Sequence, residues 1–127
     1  MIRLPNTTST LQIVLAGAKT TNHLRAYASF YDIPAQTKPT FEEYRGATAH
    51  KESNDTTDVT LVAAPAINGV VRMIDYVAVH NADTAAATVT VKVEDTAASP
   101  TEVPLFKKQL AAGETVTWSR GGTWQIL

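Results

Sequence analysis

The stretch Ala87-Thr-Val-Thr-Val-Lys-Val-Glu94 decides the fold class of this chain. Its apolar residues occupy every second position, and its polar residues stand between them. This period of two predicts a β-strand with one buried side and one side that faces solvent. Similar runs recur along the chain and are separated by Gly, Pro, Asn and Asp, so the sequence predicts an all-β fold.

The same pattern predicts about eight strands and no long helix. The expected strands are residues 10–16, 24–33, 57–64, 70–80, 87–94, 102–110, 115–119 and 123–127. Short strands separated by frequent turns are typical of a single-domain antiparallel β-sandwich, and a jelly roll is the most common eight-stranded form. An immunoglobulin-like sandwich is the alternative, although the cysteine pair of antibody domains is missing.

Two of the expected strands carry more specific predictions about their position. Residues 70–80 are apolar on both faces, which indicates a central strand or one covered by a partner. The strand 102–110 contains Pro104, which cannot donate to a ladder and therefore indicates an edge or a bulge. Trp118 and Trp124 fit one apolar face of the last hairpin, and we expect them to fill the core rather than form a sugar-stacking platform.

The expected domain organisation is an extended N-terminal arm over residues 1–9 and a sandwich domain over residues 10–127. A long loop interrupts the sandwich at residues 34–56, which are rich in proline and charge. Phe41 and Tyr44 lie three residues apart and would share a face if the loop formed one helical turn. Either the two aromatic side chains fix a solvated loop to the core, or the loop is an arm that docks on a neighbouring subunit.

Composition excludes several classes of protein. The chain has 11 Lys and Arg against 12 Asp and Glu, so no basic excess favours nucleic acid. It has no cysteine, which rules out disulfides and thiolate metal sites. No apolar stretch is long enough to span a membrane, and the N-terminus lacks the apolar core of a signal peptide. We expect a chain that is made and kept soluble inside the cell.

The sequence offers no catalytic constellation, and we expect no enzyme activity, cofactor or metal. His23, His50 and His80 are isolated from one another and from acids at ligand spacing. Asp75 lies inside an apolar strand, where it is either a buried acid with a functional role, or a residue that faces solvent or pairs with a nearby arginine such as Arg72. No Gly-x-Ser-x-Gly motif is present.

Several stretches of the sequence resemble a known group of proteins. They are Thr10-Leu-Gln-Ile-Val-Leu-Ala-Gly-Ala18, Tyr31-Asp-Ile33, Val62-Ala-Ala-Pro-Ala66, Asn81-Ala-Asp-Thr-Ala-Ala-Ala-Thr-Val-Thr-Val91, Leu110-Ala-Ala-Gly-Glu-Thr115 and Trp124-Gln-Ile-Leu127. The chain is similar in them to small structural proteins of tailed bacteriophages and prophages. The similarity runs from about residue 4 to residue 127, except for the charged segment 34–56. It implies a structural component of a virion.

Within that group, the resemblance favours a capsid cement (decoration) protein that clamps neighbouring major capsid protein subunits. It implies a location on the capsid exterior after synthesis in the host cytoplasm, with the major capsid protein and a second copy of the chain, as a dimer, for partners. Phe41, Tyr44 and Arg45 are the candidate partner-binding residues, because aromatic residues and arginine dominate interface energetics. The alternatives are a neck or tail component and a carbohydrate-binding module for host attachment.

Overall fold

The computed structural model describes residues 1–34 and 46–127, which form ten β-strands and no helix. The strands are β1 (Ile2–Leu4), β2 (Ser9–Leu15), β3 (Arg25–Ile33), β4 (Gly46–Glu52), β5 (Val59–Val62), β6 (Val71–His80), β7 (Ala87–Asp95), β8 (Glu102–Leu110), β9 (Thr115–Ser119) and β10 (Gln125–Ile126). All pairings between them are antiparallel.

The strands form two sheets that pack face to face. The six-stranded sheet has the order β10-β9-β6-β3-β4, with β1 beside β6, and the four-stranded sheet has the order β5-β2-β7-β8. Their inner faces supply the fully buried side chains, which include Leu11, Ile13, Ile74, Val77 and Val91. The prediction of an all-β, single-domain antiparallel sandwich is confirmed, with ten strands in place of about eight.

Eight of the strands have the neighbour relations of a jelly roll, in which a two-stranded ribbon is rolled up. The pairs β7·β8 and β2·β5 lie in the four-stranded sheet, and the pairs β6·β9 and β3·β4 lie in the six-stranded sheet. Along the ribbon the pairs therefore alternate between the sheets, as in a jelly roll. The connection between β9 and β2 is missing from the ribbon, because β2 is the first and β9 the last of the eight strands along the chain.

The predicted N-terminal arm is corrected by β1. Ile2 and Leu4 are 7% and 0% exposed, and β1 pairs with β6 with Ile2 opposite Ile74. Residues 2–4 therefore belong to the sandwich. An alternation of three residues is too short to predict a strand from sequence, and the pairing with β6 supplies what the local pattern lacks.

The predicted irregular loop over residues 34–56 is corrected over its second half by β4. This strand forms seven register pairs with β3, from Arg25 opposite Glu52 to Tyr31 opposite Gly46. Gly46, Ala47 and Ala49 have low strand propensity, so the sequence gives little sign of β4. The strand forms because β3 offers it a complete ladder, which overrides local propensity.

Two expectations about strand position hold. β6 is central, with β3 along one side and both β9 and β1 along the other. β8 is an edge strand of the four-stranded sheet, and its register with β7 shifts at Val91 and Lys92, next to Pro104. Trp118 is 5% exposed and belongs to the core, as the alternation of the last hairpin predicts.

Candidate interaction surface

The outer face of the six-stranded sheet is built by the alternation of β3. Ala26 and Ala28 point into the core and are 4% and 0% exposed, so Tyr27, Ser29 and Tyr31 point outward. These three outward side chains are half-buried. The strand thus buries small residues and presents large aromatic ones, which places a row of tyrosines on a sheet surface.

Neighbouring strands extend this row across the sheet. Tyr27 lies opposite His50 of β4, with ring centroids 4.9 Å apart and an interplanar angle of 67°. The rings of Tyr27 and Tyr76 are 6.0 Å apart at 61°, so both pairs have edge-to-face geometry. Tyr76 lies opposite Ser29 on one side and Ser119 on the other.

We call this surface the tyrosine face. It combines aromatic rings with hydroxyl groups, and all its members are half-buried or exposed: Tyr27, Ser29, Tyr31, Thr48, His50, Tyr76, Thr117 and Ser119. Contacts between the rings hold Tyr27 and Tyr76 in place before any partner arrives. Side chains ordered in advance lose less conformational entropy on binding.

Arg120 borders one end of the tyrosine face. Its Nη1 donates a hydrogen bond of 2.6 Å to the hydroxyl of Tyr31, and its guanidinium lies 5.5 Å from the centre of that ring. Its Nε is 3.3 Å from Oδ1 of Asp75. An arginine held by an aromatic ring and a carboxylate is a typical component of protein interfaces.

The same contact makes Asp75 an ordinary ion-pair partner of an arginine, as the favoured alternative had it, but the arginine is Arg120 and not Arg72. Arg72 instead forms a bidentate pair with Asp32, at 2.7 and 2.9 Å. The register between β3 and β6 shifts so that Asp75 has no partner on β3. Asp75 is therefore a half-buried bulge residue in an ion pair and not a buried acid.

The candidate partner-binding residues Phe41, Tyr44 and Arg45 lie outside the described residues. The segment 35–45 that contains them joins β3 to β4 in sequence. Tyr31 opposite Gly46 is the pair at that end of the β3–β4 ladder. Gly46, the first described residue after the segment, therefore lies beside Tyr31 of the tyrosine face.

The outer face of the four-stranded sheet is different and carries a cluster of charges. The ammonium of Lys92 is 2.9 Å from Asp58 and 2.7 Å from Glu102. Burial alone would lower the pKa of Lys92, but its hydrogen bonds to Glu102 and Asp58 outweigh burial and raise that pKa. Carboxylate oxygens of Asp58, Glu94 and Glu102 lie within 4.8 Å of one another. Since the ammonium lies between two of these groups, the cluster is an ion-pair network.

Two further carboxylates are tied into loops. Several backbone N–H groups donate hydrogen bonds to the carboxylate of Asp83. Those of Thr20 and Asn22 have the largest effect, and together these bonds hold the pKa of Asp83 well below its usual range. Hydroxyl and amide donors led by Thr8 lower the pKa of Asp95 to about 2. Both groups stay ionised and fasten chain segments, so these shifted pKa values report loop anchoring rather than a poised acid or base.

His80 and the two tryptophans, which the sequence offered as candidates, make contacts within the fold. Nδ1 of His80 is 2.8 Å from the hydroxyl of Thr115. The rings of Trp118 and Trp124 are 6.2 Å apart, and Phe106 packs on Trp124 at 5.0 Å. Since Trp118 is buried, the two tryptophans do not form an exposed sugar-stacking platform.

No family model, no curated protein and no solved structure matches this chain. Within residues 1–34 and 46–127, no helix is long and apolar enough to cross a membrane. The tyrosine face was not among the sequence candidates. Its signal was the outward alternation of Tyr27, Ser29 and Tyr31, but only the pairing with β6 and β4 brings Tyr76 and His50 beside it.

Proposed function

We propose that this chain is a virion structural protein of a tailed bacteriophage, and specifically a capsid cement protein that bridges neighbouring major capsid protein subunits. Two observations support the proposal. One is the similarity to small phage structural proteins in the stretches quoted above, and the other is the row of aromatic and hydroxyl side chains that forms the tyrosine face. The face is the single structural feature that carries the argument.

The composition of the tyrosine face suits binding to a protein. Tyrosine and arginine are enriched at the cores of interfaces, whereas lysine and glutamate are depleted there. Rigid aromatic rings supply contact area at low entropic cost, and Ser and Thr hydroxyls add adaptable hydrogen bonds. The charged cluster around Lys92 occupies the opposite sheet, so the two outer faces of the sandwich differ in chemistry.

The acidic groups of the described residues also favour a structural role. Asp58 and Glu102 pair with Lys92, Asp32 pairs with Arg72 and Asp75 pairs with Arg120. Hydrogen-bond donors of the chain's own loops hold Asp83 and Asp95. Each of these carboxylates therefore has a partner within the fold, which is what a stable binding module requires.

A cement role follows from the mechanics of a pressurised shell. A protein that bridges the joints between subunits opposes their separation, and each copy needs only a moderate interface of about 1,000 Å². Many copies acting on one shell add their stabilisation without any single tight contact. In this arrangement the tyrosine face contacts the capsid subunits, and the packed core of the sandwich supports that face from behind.

A double variant, Tyr27→Ser with Tyr76→Ser, tests the assignment of the face. Both side chains are half-buried on an outer face, so the fold is expected to persist. Loss of two aromatic anchors is expected to weaken attachment to capsids that lack this protein by roughly 100-fold. Co-sedimentation of labelled protein with such capsids measures the change.

The matched control is Thr88→Ala with Thr90→Ala, on the outer face of the four-stranded sheet. This control is expected to attach like the wild type. The proposal would be contradicted if the tyrosine double variant attached like the wild type while the threonine double variant lost attachment. That result would show that the protein attaches through the four-stranded sheet.

A carbohydrate-binding module for host attachment is the second candidate function. The observation that favours it is the mixture of aromatic rings and hydroxyl groups on the tyrosine face, since sugars stack on rings and exchange hydrogen bonds with hydroxyls. Titration of the protein with host surface polysaccharide, followed by calorimetry, separates the two candidates. Binding that requires Tyr27 and Tyr76 would favour the sugar module over the cement protein.

A further inference from the structure

Among the described residues the two sheets have five edge strands, β1, β4, β5, β8 and β10, and all but β4 are protected; β1 has only three residues. β10 has two residues and β5 has four, which leaves little backbone for another strand to pair with. β8 carries Pro104, Lys107 and Lys108, which discourage pairing with another chain. β4 is different, because it has seven residues and no proline, its single lysine, Lys51, is followed by Glu52, and among the described residues only β3 pairs with it.

The side chains of β4 divide the strand into a small half and a large half. Gly46, Ala47 and Thr48 precede Ala49, whereas His50, Lys51 and Glu52 follow it. A concavity of about 420 Å³ lies beside the large half. Its lining residues are Arg25, Ala26, His50, Lys51 and Glu52. A strand with this division is complementary in size to a second copy of itself that runs in the opposite direction.

We propose that β4 pairs antiparallel with β4 of a second copy of this chain, around a two-fold axis at Ala49. This register uses all seven residues and sets Gly46 against Glu52, Ala47 against Lys51 and Thr48 against His50 of the second copy. Each large side chain then faces a small one, and no like charges stand opposite each other. A two-fold axis at Lys51 would instead set two lysines against each other, which is destabilising.

The pairing joins two six-stranded sheets into one continuous sheet. Because Thr48 and His50 belong to the tyrosine face, the two faces meet on the same side of the joined sheet. The dimer therefore presents one extended surface with two sets of anchors, and linked contacts gain avidity. This inference gives the self-association of the proposed function a location, and it rests on that function for its biological setting.

Cysteine cross-linking tests the pairing directly, because the chain has no cysteine of its own. In an antiparallel pair, residues on the two-fold axis have Cα atoms about 4.5–5.5 Å apart, within the range of a disulfide. Ala49→Cys is therefore expected to give a disulfide-linked dimer as the main product of mild oxidation. Val103→Cys, which is exposed on β8, is the control and is expected to stay mostly monomeric.

A second pair of variants tests the register on exposed positions, where the fold is not at risk. Ala47→Cys and Lys51→Cys are expected to link when mixed and not when oxidised separately, because each faces the other across the axis. Equal linking of Ala49→Cys and Val103→Cys would overturn the inference, as would linking of Ala47→Cys by itself.

The outcome is separable from that of the proposed function. If the cross-links fail while the wild-type protein attaches to capsids through Tyr27 and Tyr76, the β4 pairing is wrong and the cement role stands. If the Ala49→Cys dimer forms while wild-type protein does not attach to capsids, the pairing is right and the cement role is wrong.

Discussion

An Asn81→Ala variant is expected to have a free energy of unfolding about 3 kcal/mol lower than that of the wild type. Asn81 is 0% exposed, and its Nδ2 donates to the carbonyl oxygens of Ala85 and Leu110 at 3.0 Å and of Ala111 at 3.2 Å. Its Oδ1 accepts a hydrogen bond of 3.0 Å from the N–H of Asp83. Alanine would remove the side-chain partner of these backbone groups at the corner where β6 ends. The carbonyl oxygen of Ala111 keeps its hydrogen bond from the N–H of Glu114, but buried groups that lose their partner are costly.

Urea denaturation followed through the fluorescence of Trp118 and Trp124, which pack together, measures the loss. The matched control is Asn22→Ala, since Asn22 is exposed and donates to the carbonyl oxygen of Ala82 in the same region. This control is expected to change stability by less than about 0.5 kcal/mol. Equal losses in the two variants would show that the side chain of Asn81 does not organise this corner.

The second large effect is expected from Lys92→Met. Lys92 is 7% exposed, and its ammonium lies between the carboxylates of Asp58 and Glu102, with Glu94 nearby. Methionine has a similar length but no charge, so the variant leaves three carboxylates close together without a cation. Since these carboxylates are partly exposed and can be rehydrated, the expected loss at pH 7 is about 2 kcal/mol, below that of a fully buried pair.

The pH dependence follows from the direction of the pKa shift. The pKa of Lys92 is raised above its ordinary value of 10.5, so its ion pairs stabilise the fold fully below that pH. They are lost as pH rises through the raised value, so the difference between wild type and variant shrinks in alkali.

Thermal unfolding of both proteins across this pH range checks the profile. Lys108→Met is the control, because Lys108 is exposed on the neighbouring strand β8, and it is expected to have little effect at any pH. A Lys92→Met variant as stable as the wild type at pH 7 would show that the ion-pair network contributes nothing to stability.

Strands with a clear local alternation could be predicted from the sequence, whereas strands that depend on partners distant in sequence could not. The alternation in residues 87–94 and 70–80 was sufficient to predict strands and to place one of them centrally, because burial of one or both faces leaves a direct pattern. β1 and β4 escaped prediction, since a three-residue strand and a strand rich in Gly and Ala carry almost no local pattern. Both form because β6 and β3 offer backbone partners that are distant in sequence.

The candidate site was predictable only in part for the same reason. The outward position of Tyr27 and Tyr31 follows from the alternation of β3, but their proximity to Tyr76, His50 and Arg120 depends on strand order and on the bulge at Asp75. Sequence reasoning turned instead to Phe41, Tyr44 and Arg45, whose role stays a prediction. Aromatic residues in a charged segment are conspicuous in sequence, whereas tyrosines in a strand look like ordinary strand formers.

We propose that many copies of this chain decorate a capsid. The most direct test is the number of copies per purified virion, measured by quantitative mass spectrometry against the major capsid protein. The account predicts one copy per capsid subunit or a simple fraction of that number. A few to a few tens of copies would assign the protein to the neck or tail, and its absence from the particle would contradict the structural role altogether.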